Sequence, residues 1–243
     1  MSTKWTKWKI IRTVWVAAGL GFMVWLWSGM QADGVGEEIL RSDAAVEVTE
    51  TEDYISFTPT STSSKVLLFY PGALVDPVAY APLCRKVAAS GCPVYLIKMP
   101  WRLALNGYTK PKEIGLLGDT TKQYLLAGHS QGAKMAAQFV YENPSLIDKL
   151  ILLGTTHPRD IDLSTSQIPI LKIQGTHDGV AAVEEMNRNK SKLPSTTKYV
   201  LIEGGNHTQF GFYGYQLGDS EASISREQQQ QMVLDSIISF VRE

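Results

Sequence analysis

The chain has 243 residues, 44% of them hydrophobic and 19% charged, which is enough apolar material for one large domain or two small ones. That composition excludes a disordered or collagen-like polymer, and two cysteines exclude a disulfide-stapled miniprotein. The formal net charge of −1 hides an asymmetry: Lys4, Lys7, Lys9 and Arg12 put four positive charges on the first twelve residues, so the remainder carries −5. A body of that sign argues against nucleic acid as a partner.

Residues 13–32 follow the basic cluster as 20 residues without a single charge. At about 1.5 Å per residue such a helix is roughly 30 Å long, the thickness of a bilayer's hydrocarbon core. Trp5 and Trp8 stand on the basic side, Trp25 and Trp27 near the far end, and Asp33, Glu37 and Glu38 follow with the opposite sign. Indoles at both interfaces and positive charge on one flank describe a single-pass anchor with the body outside the cytoplasm. The competing reading is a cleaved signal peptide, but its apolar region is usually about 7–15 residues and no clear small-x-small site precedes Asp33. The organisation expected is therefore a basic cytoplasmic terminus at 1–12, a transmembrane signal-anchor at 13–32, a linker at 33–45 and one catalytic-size domain at 46–243.

Within that domain strand-like and helix-like blocks alternate. Residues 46–57 read as one or two opening strands, and Lys65–Tyr70 (KVLLFY) as a strand buried on both faces. Further strands are expected at 93–98, 124–127, 149–153, 168–174 and 198–202, with helices at about 78–89, 131–142, 180–189 and 225–242. The helix at 131–142 carries Ala133, Ala136, Ala137 and Val140 on one stripe, with Pro144 just past its end. The last helix puts Val233, Ile237, Phe240 and Val241 on one face, which makes the run Gln228 to Gln231 a solvated first turn. Alternation of this kind predicts a mostly parallel sheet with helices on both faces. Cys84 and Cys92 flank the end of a predicted helix, which favours two free buried thiols over a bridge.

Between the strand at 124–127 and the helix from 131 stands Gly128-His129-Ser130-Gln131-Gly132, a G-x-S-x-G sequence in the strand–turn–helix context of a nucleophile elbow. The sharp turn strains the serine backbone, so residues two before and two after it must be small, as Gly128 and Gly132 are. A serine hydroxyl needs a histidine to take its proton and a carboxylate to orient that histidine. In elbow enzymes those partners follow in the order serine, acid, histidine, each on a loop after a strand. Asp178 after the strand at 168–174 and His207 after the strand at 198–202 satisfy both conditions; Glu184 and Glu185 are fallback acids inside the next predicted helix. For the oxyanion, the helix start offers the amide of Gln131, and the loop Tyr70-Pro71-Gly72-Ala73-Leu74 offers the amide of Ala73, with Leu74 as the alternative.

The segments YPGALVDP at 70–77, GHSQG, GTHDGV at 175–180 and GGNHTQFG at 204–211 together resemble the α/β-hydrolases, in particular the dienelactone-hydrolase-related alpha/beta hydrolase fold-5 group. The resemblance covers about residues 46–243 and implies the α/β-hydrolase fold and a carboxylesterase-like serine hydrolase acting through an acyl-enzyme. Dienelactone hydrolases proper use a cysteine where this chain has Ser130, so their lactone substrate does not carry over. Acyl transfer on the same triad and a non-catalytic binding protein on the same fold are the alternatives. No cofactor or metal is expected: His177-Asp178 is an isolated pair, and no phosphate loop or dinucleotide fingerprint follows a strand. The expected partners are a small-molecule or cell-surface ester and the membrane. Residues 155–167 are too few for a substantial cap, which predicts an open site unless 101–118 folds over it. Phe210, Phe212, Tyr213, Tyr215 and the pair Trp101-Arg102 stand as candidates either for lining that site or for loop packing.

Overall fold

A computed structural model describes residues 6–243; residues 1–5, including Lys4 and Trp5, lie outside the described residues. Eight strands form one sheet: β1 (Val46–Glu50), β2 (Tyr54–Pro59), β3 (Lys65–Tyr70), β4 (Val94–Ile97), β5 (Gln123–His129), β6 (Lys149–Leu153), β7 (Ile170–Gly175) and β8 (Lys198–Ile202). Their order is β1-β2-β4-β3-β5-β6-β7-β8. The opening 46–57 segment resolves into a hairpin, β1 pairing antiparallel with β2 and β2 antiparallel with β4, and every pairing from β4 through β3 to β8 is parallel. This is the mostly parallel sheet expected from the alternation, and its topology is compatible with the fold that the motif resemblance implies.

The apolar run of β3 works because both its faces are covered. Leu67 and Phe69 join one core with α2 (Ala81–Ala89) and the terminal helix α6 (Arg226–Arg242). Val66, Leu68 and Tyr70 join the opposite core with α4 (Gln131–Glu142), whose Ala133, Ala136, Ala137 and Val140 form the stripe read from the sequence. Two short helices, α3 (Lys110–Glu113) and α5 (Val183–Arg188), complete the connections. Cys84 and Cys92 are free and buried, and burial raises both thiol pKa values, that of Cys92 to about 11.

One expectation fails. The glutamine run is not a solvated turn: Gln229 and Gln230 are buried and each serves the loop that follows β8. Gln229 brackets Asn206, accepting from its N–H at 2.9 Å and donating to its carbonyl at 2.8 Å, while Gln230 donates to the Gln209 carbonyl at 2.6 Å. Gln228 closes a capping box with Ser225. A buried amide is tolerated where its donor and acceptor are both used, and the loop backbone at 206–209 uses them.

The amino-terminal helix α1 (Lys7–Gly29) has no buried residue and is long and apolar enough to cross a membrane. It begins six residues before the uncharged run and ends at Gly29, so residues 30–32 leave the helix. They join the body: Ala32 forms a bridge with Tyr213, and the Asp33 N–H donates to the Phe212 carbonyl at 2.8 Å. Residues 33–45 then run along the body, where Arg85 donates to the carbonyls of Ile39 and Arg41.

Candidate active site

Ser130, Asp178, His207 and Ala73 lie between elements at the carboxyl edge of the parallel strands, with Gln131 opening α4 there, where open α/β sheets bind ligands. Ser130 caps α4 directly after β5 with φ 54° and ψ −118°, a backbone state that L-residues rarely adopt. The turn is held by the Ser130 N–H donating to the Leu153 carbonyl at 2.9 Å and by the Lys134 N–H donating to the Ser130 carbonyl at 3.0 Å. The two elbow glycines are required by contact. A Cβ on Gly128 would stand 2.5 Å from the Gly132 carbonyl carbon, and one on Gly132 would stand 2.2 Å from the Tyr70 carbonyl oxygen. That second approach brings the start of α4 against the loop leaving β3, so the amides of Gln131 and Ala73 belong to neighbouring segments. Leu74 is withdrawn as the alternative donor, because its N–H is committed to the Arg102 carbonyl at 2.7 Å.

Asp178 and His207 meet across the loops after β7 and β8: Nδ1 of His207 lies 2.9 Å from Oδ2 of Asp178, and both side chains are buried. The carboxylate is saturated. Oδ2 also accepts from Gln174 Nε2 at 2.8 Å, and Oδ1 accepts from the N–H groups of Val180 and Ala181 at 3.0 and 2.6 Å. An ionised carboxylate only accepts, so Nδ1 of the imidazole is the donor and Nε2 is left as the lone-pair nitrogen. Nε2 has no hydrogen-bond partner and is shielded from solvent. The structure thus unites Asp178 with His207 and sets the ring against the elbow, its centroid 4.5 Å from that of His129, with no hydrogen bond yet formed to Ser130. Such bonds are often long in unliganded sites. Glu184 and Glu185 take no part: Glu185 pairs with Arg159 at 2.7 Å on α5.

His129 is fully buried, and burial first, then the neighbouring His207, push its pKa well below the ordinary histidine value. It stays neutral, with Nδ1 accepting from the Tyr80 hydroxyl at 2.8 Å while that hydroxyl accepts from the Gly72 N–H at 3.1 Å. Phe210 and Tyr213 are buried beside these rings, so they pack the loops; Tyr215 is exposed.

Several contributors were not foreseen. Asp219 clamps the loops that carry Asp178 and His207: it accepts from the N–H groups of Gly179, His207 and Thr208 at 3.2, 3.2 and 2.7 Å. Only its position after Leu217-Gly218 marks it in the sequence, as a turn residue. Gln174 did leave a signal, as one of two polar residues, with Lys172, in a buried strand. Beside Ser130 lies a cavity of about 240 Å³ lined by Lys134, Thr155, Thr156, His157 and Arg159, among others. It is polar, and burial lowers the His157 pKa to about 4, so that wall is neutral imidazole near neutrality.

No curated protein sequence matches the chain. Solved structures similar to it include a monoacylglycerol lipase of Paleococcus ferrophilus (13% identity, 79% of this chain and 99% of that one, TM-score 0.58). Esterase 2 of Thermogutta terrifontis, phosphonylated by cyclosarin, is similar at 14% identity over 82% and 95% of the chains, TM-score 0.58. The carboxylesterase CesB of Bacillus subtilis follows at 12%, 82%, 93% and 0.51. At such identities the likeness is one of fold. The model of the Alpha/beta hydrolase family matches residues 66–231, more than half of the chain. The elbow, the parallel sheet and that match agree with the resemblance drawn from the sequence, and this chain belongs to the alpha/beta hydrolase family.

Proposed function

We propose that the protein is a membrane-anchored serine hydrolase of carboxylic esters, with Ser130 as nucleophile, His207 as general base and Asp178 as its orienting acid. The observation that carries this reading is the buried Asp178–His207 pair, whose geometry leaves Nε2 as the proton acceptor beside the elbow. In the first half-reaction Nε2 takes the Ser130 proton while Oγ bonds to the ester carbonyl carbon, and the carbonyl oxygen becomes an oxyanion. The amides of Ala73 and Gln131 would receive that charge; a donor in this role is typically worth roughly 2.7–4 kcal/mol. Collapse breaks the bond to the alcohol, which leaves with the proton from His207. Water then repeats the sequence on the acyl-enzyme and regenerates Ser130. The esterase and lipase names of the similar structures support this substrate class.

Anchoring and an extracytoplasmic body are supported by α1, by its cationic start and by the anionic residues after it. The test is a fluorophosphonate probe on the full-length protein in membranes. Covalent labelling that disappears in Ser130→Ala and weakens sharply in His207→Ala is expected; folded protein that resists the probe would overturn the reading. A carboxyl-terminal reporter active only in the cytoplasm would overturn the orientation.

A further inference from the structure

The anchor does not leave the body at an arbitrary point. It joins the carboxyl edge of the sheet, the edge that carries Ser130 and His207. Met30 accepts from the Asp76 N–H at 2.8 Å, six residues past the end of β3. Gly29 lies against the loop after β8 so closely that a Cβ there would stand 2.8 Å from the Tyr215 carbonyl oxygen. Arg102, in the loop after β4, places its guanidinium 4.6 Å from the Trp27 ring and bonds to Gln31 at 3.1 Å and Asp76 at 2.9 Å. Its carbonyl holds the Leu74 N–H beside the proposed oxyanion donor.

A 23-residue helix is about 34 Å long, so its last turn reaches the membrane surface, and the loops packed on that turn are at the surface too. Those loops expose Leu74, Trp101 with Leu105, and Tyr215 with Leu217, while other exposed apolar side chains of the body, such as Tyr141, Leu201 and Met232, stand singly on separate elements. Trp101 is 85% exposed, and it and Arg102 hold consecutive positive φ angles of 57° and 56°. Two adjacent non-glycine residues in that region are strained and persist only where surrounding contacts impose them. Here Arg102 is fixed by its contacts to Trp27, Gln31 and Asp76, and the neighbouring Trp101 ring is left exposed in the same loop. An indole so placed suits an interface between apolar and wet surroundings better than water.

We propose that the catalytic edge rests on the leaflet into which α1 is inserted, with Trp101, Leu105 and Leu217 in the interfacial layer, and that the substrate is a long-chain lipid ester entering Ser130 from the bilayer. The substrate part rests on the serine-hydrolase reading above. Strand order arranges the site for an amphiphile. The apolar rim of Leu74, Trp101 and Leu105 follows β3 and β4 on one side of Ser130, Leu217 stands two residues past the Tyr215 contact with Gly29 in the long segment after β8, and the cavity of Thr155, Thr156 and His157 follows β6 on the other side of Ser130. The acyl chain takes the membrane side and the polar head takes the cavity. The bilayer then occupies the place a cap domain would fill.

Full-length protein in vesicles of phosphatidylethanolamine and phosphatidylglycerol tests this in two ways. Trp101→Cys carrying an environment-sensitive fluorophore, the native cysteines being buried, should be quenched by brominated acyl chains and shielded from aqueous iodide. The opposite pattern overturns the proposal. In the second arm, Trp101→Asn with Leu105→Gln removes the rim, and asparagine accepts a positive φ. Hydrolysis of methylumbelliferyl oleate dissolved in the vesicles should fall at least about tenfold, equivalent to about 1.4 kcal/mol, and that of methylumbelliferyl acetate should stay within about twofold. Equal loss on both esters, or on neither, overturns it. If neither ester is cleaved by the parent protein and the fluorophosphonate fails to label it, the hydrolase reading falls instead, while the quenching still reads the orientation of the rim.

Discussion

The two halves of the catalytic edge are held in opposite ways. On the side of β7 and β8, buried Asp178, His207 and Gln174 and half-buried Asp219 form a hydrogen-bonded network in which, among their side-chain atoms, Nε2 of His207 and Oε1 of Gln174 are left without a partner. On the side of β3 and β4 the loops expose Leu74, Trp101 and Leu105, are strained at Trp101 and Arg102, and are tied to the end of α1 through the Arg102 guanidinium and the Asp76 N–H. A proton relay needs distances fixed to fractions of an ångström, and buried hydrogen bonds supply that. A surface that meets a mobile partner needs exposed apolar groups instead. The difference teaches that the same edge separates chemistry from approach.

The comparison breaks most visibly at its rigid end. Asp178→Asn keeps the shape of the side chain but removes one acceptor and offers an amide N–H toward the imidazole, which favours the tautomer that cannot take the Ser130 proton. A fall in kcat of about 10⁴-fold with folding intact is expected; stopped-flow hydrolysis of a soluble ester and a thermal melt check both parts. A fall smaller than tenfold would mean that Asp178 does not orient the base.

Asp219 comes next. Asp219→Ala strips the backbone donors of Gly179, His207 and Thr208 of their shared acceptor, freeing the histidine loop to shift against the acid loop. A displacement of about 1 Å corresponds to a loss of up to ~10²-fold, expressed in kcat with KM little changed. Asp219→Asn, which keeps one oxygen, should recover part of it. If Asp219→Ala merely lowers the melting temperature and leaves kcat alone, the clamp is structural only.

The contrast also marks what was readable from the chain. The elbow was legible because its requirement is local: a strained serine needs Gly128 and Gly132 within two residues, and the clash at Tyr70 shows why. Asp178 and His207 were legible because each stands directly after an apolar strand. The strands themselves were legible because β3, β5 and β6 are covered on both faces and read as mostly apolar runs, and β7 keeps Ile170, Leu171 and Ile173 around Lys172 and Gln174. Asp219 was hidden because its contacts reach 40 residues back to Gly179, and no local pattern encodes a loop that folds over another. Gln229 and Gln230 misled for a similar reason. Helical periodicity tells which residues share a face, and a polar residue on the inner face looks solvated until its partner, the backbone of Asn206, is placed beside it. The role of Arg102 was invisible since it depends on a positive φ at a residue type that seldom adopts one.

On the exposed side, Arg102→Lys keeps the charge and loses the planar fork that spans Gln31 and Asp76. A partly exposed tie of this kind is worth about 1 kcal/mol, so kcat on a soluble ester should fall no more than about fivefold. The anchor should become freer relative to the body, which site-directed spin labels near Trp27 would register as increased mobility. A loss as large as that of Asp219→Ala would show that the two halves are coupled more tightly than their contacts imply.

The smallest effect concerns a weak point within the rigid half. Lys172 on β7 is buried, its ammonium held only by the His157 carbonyl on the cavity wall, and burial lowers its pKa to about 7. In the unfolded chain the same amine binds its proton up to about 10.4. Between those values the unfolded state holds more protons than the native one, so stability rises as pH rises from about 7 toward 10 and is flat below 7 as far as this group is concerned. Lys172→Met removes that proton uptake. Melting temperatures from pH 7 to pH 10 should climb less steeply in the variant than in the parent protein, and the two curves should run parallel below pH 7. Parallel curves over the whole range would mean that Lys172 stays charged in the fold. The wall at His157 would then be held by an ammonium, and the hydrogen-bonded half of the edge would carry a buried charge that the exposed half does without.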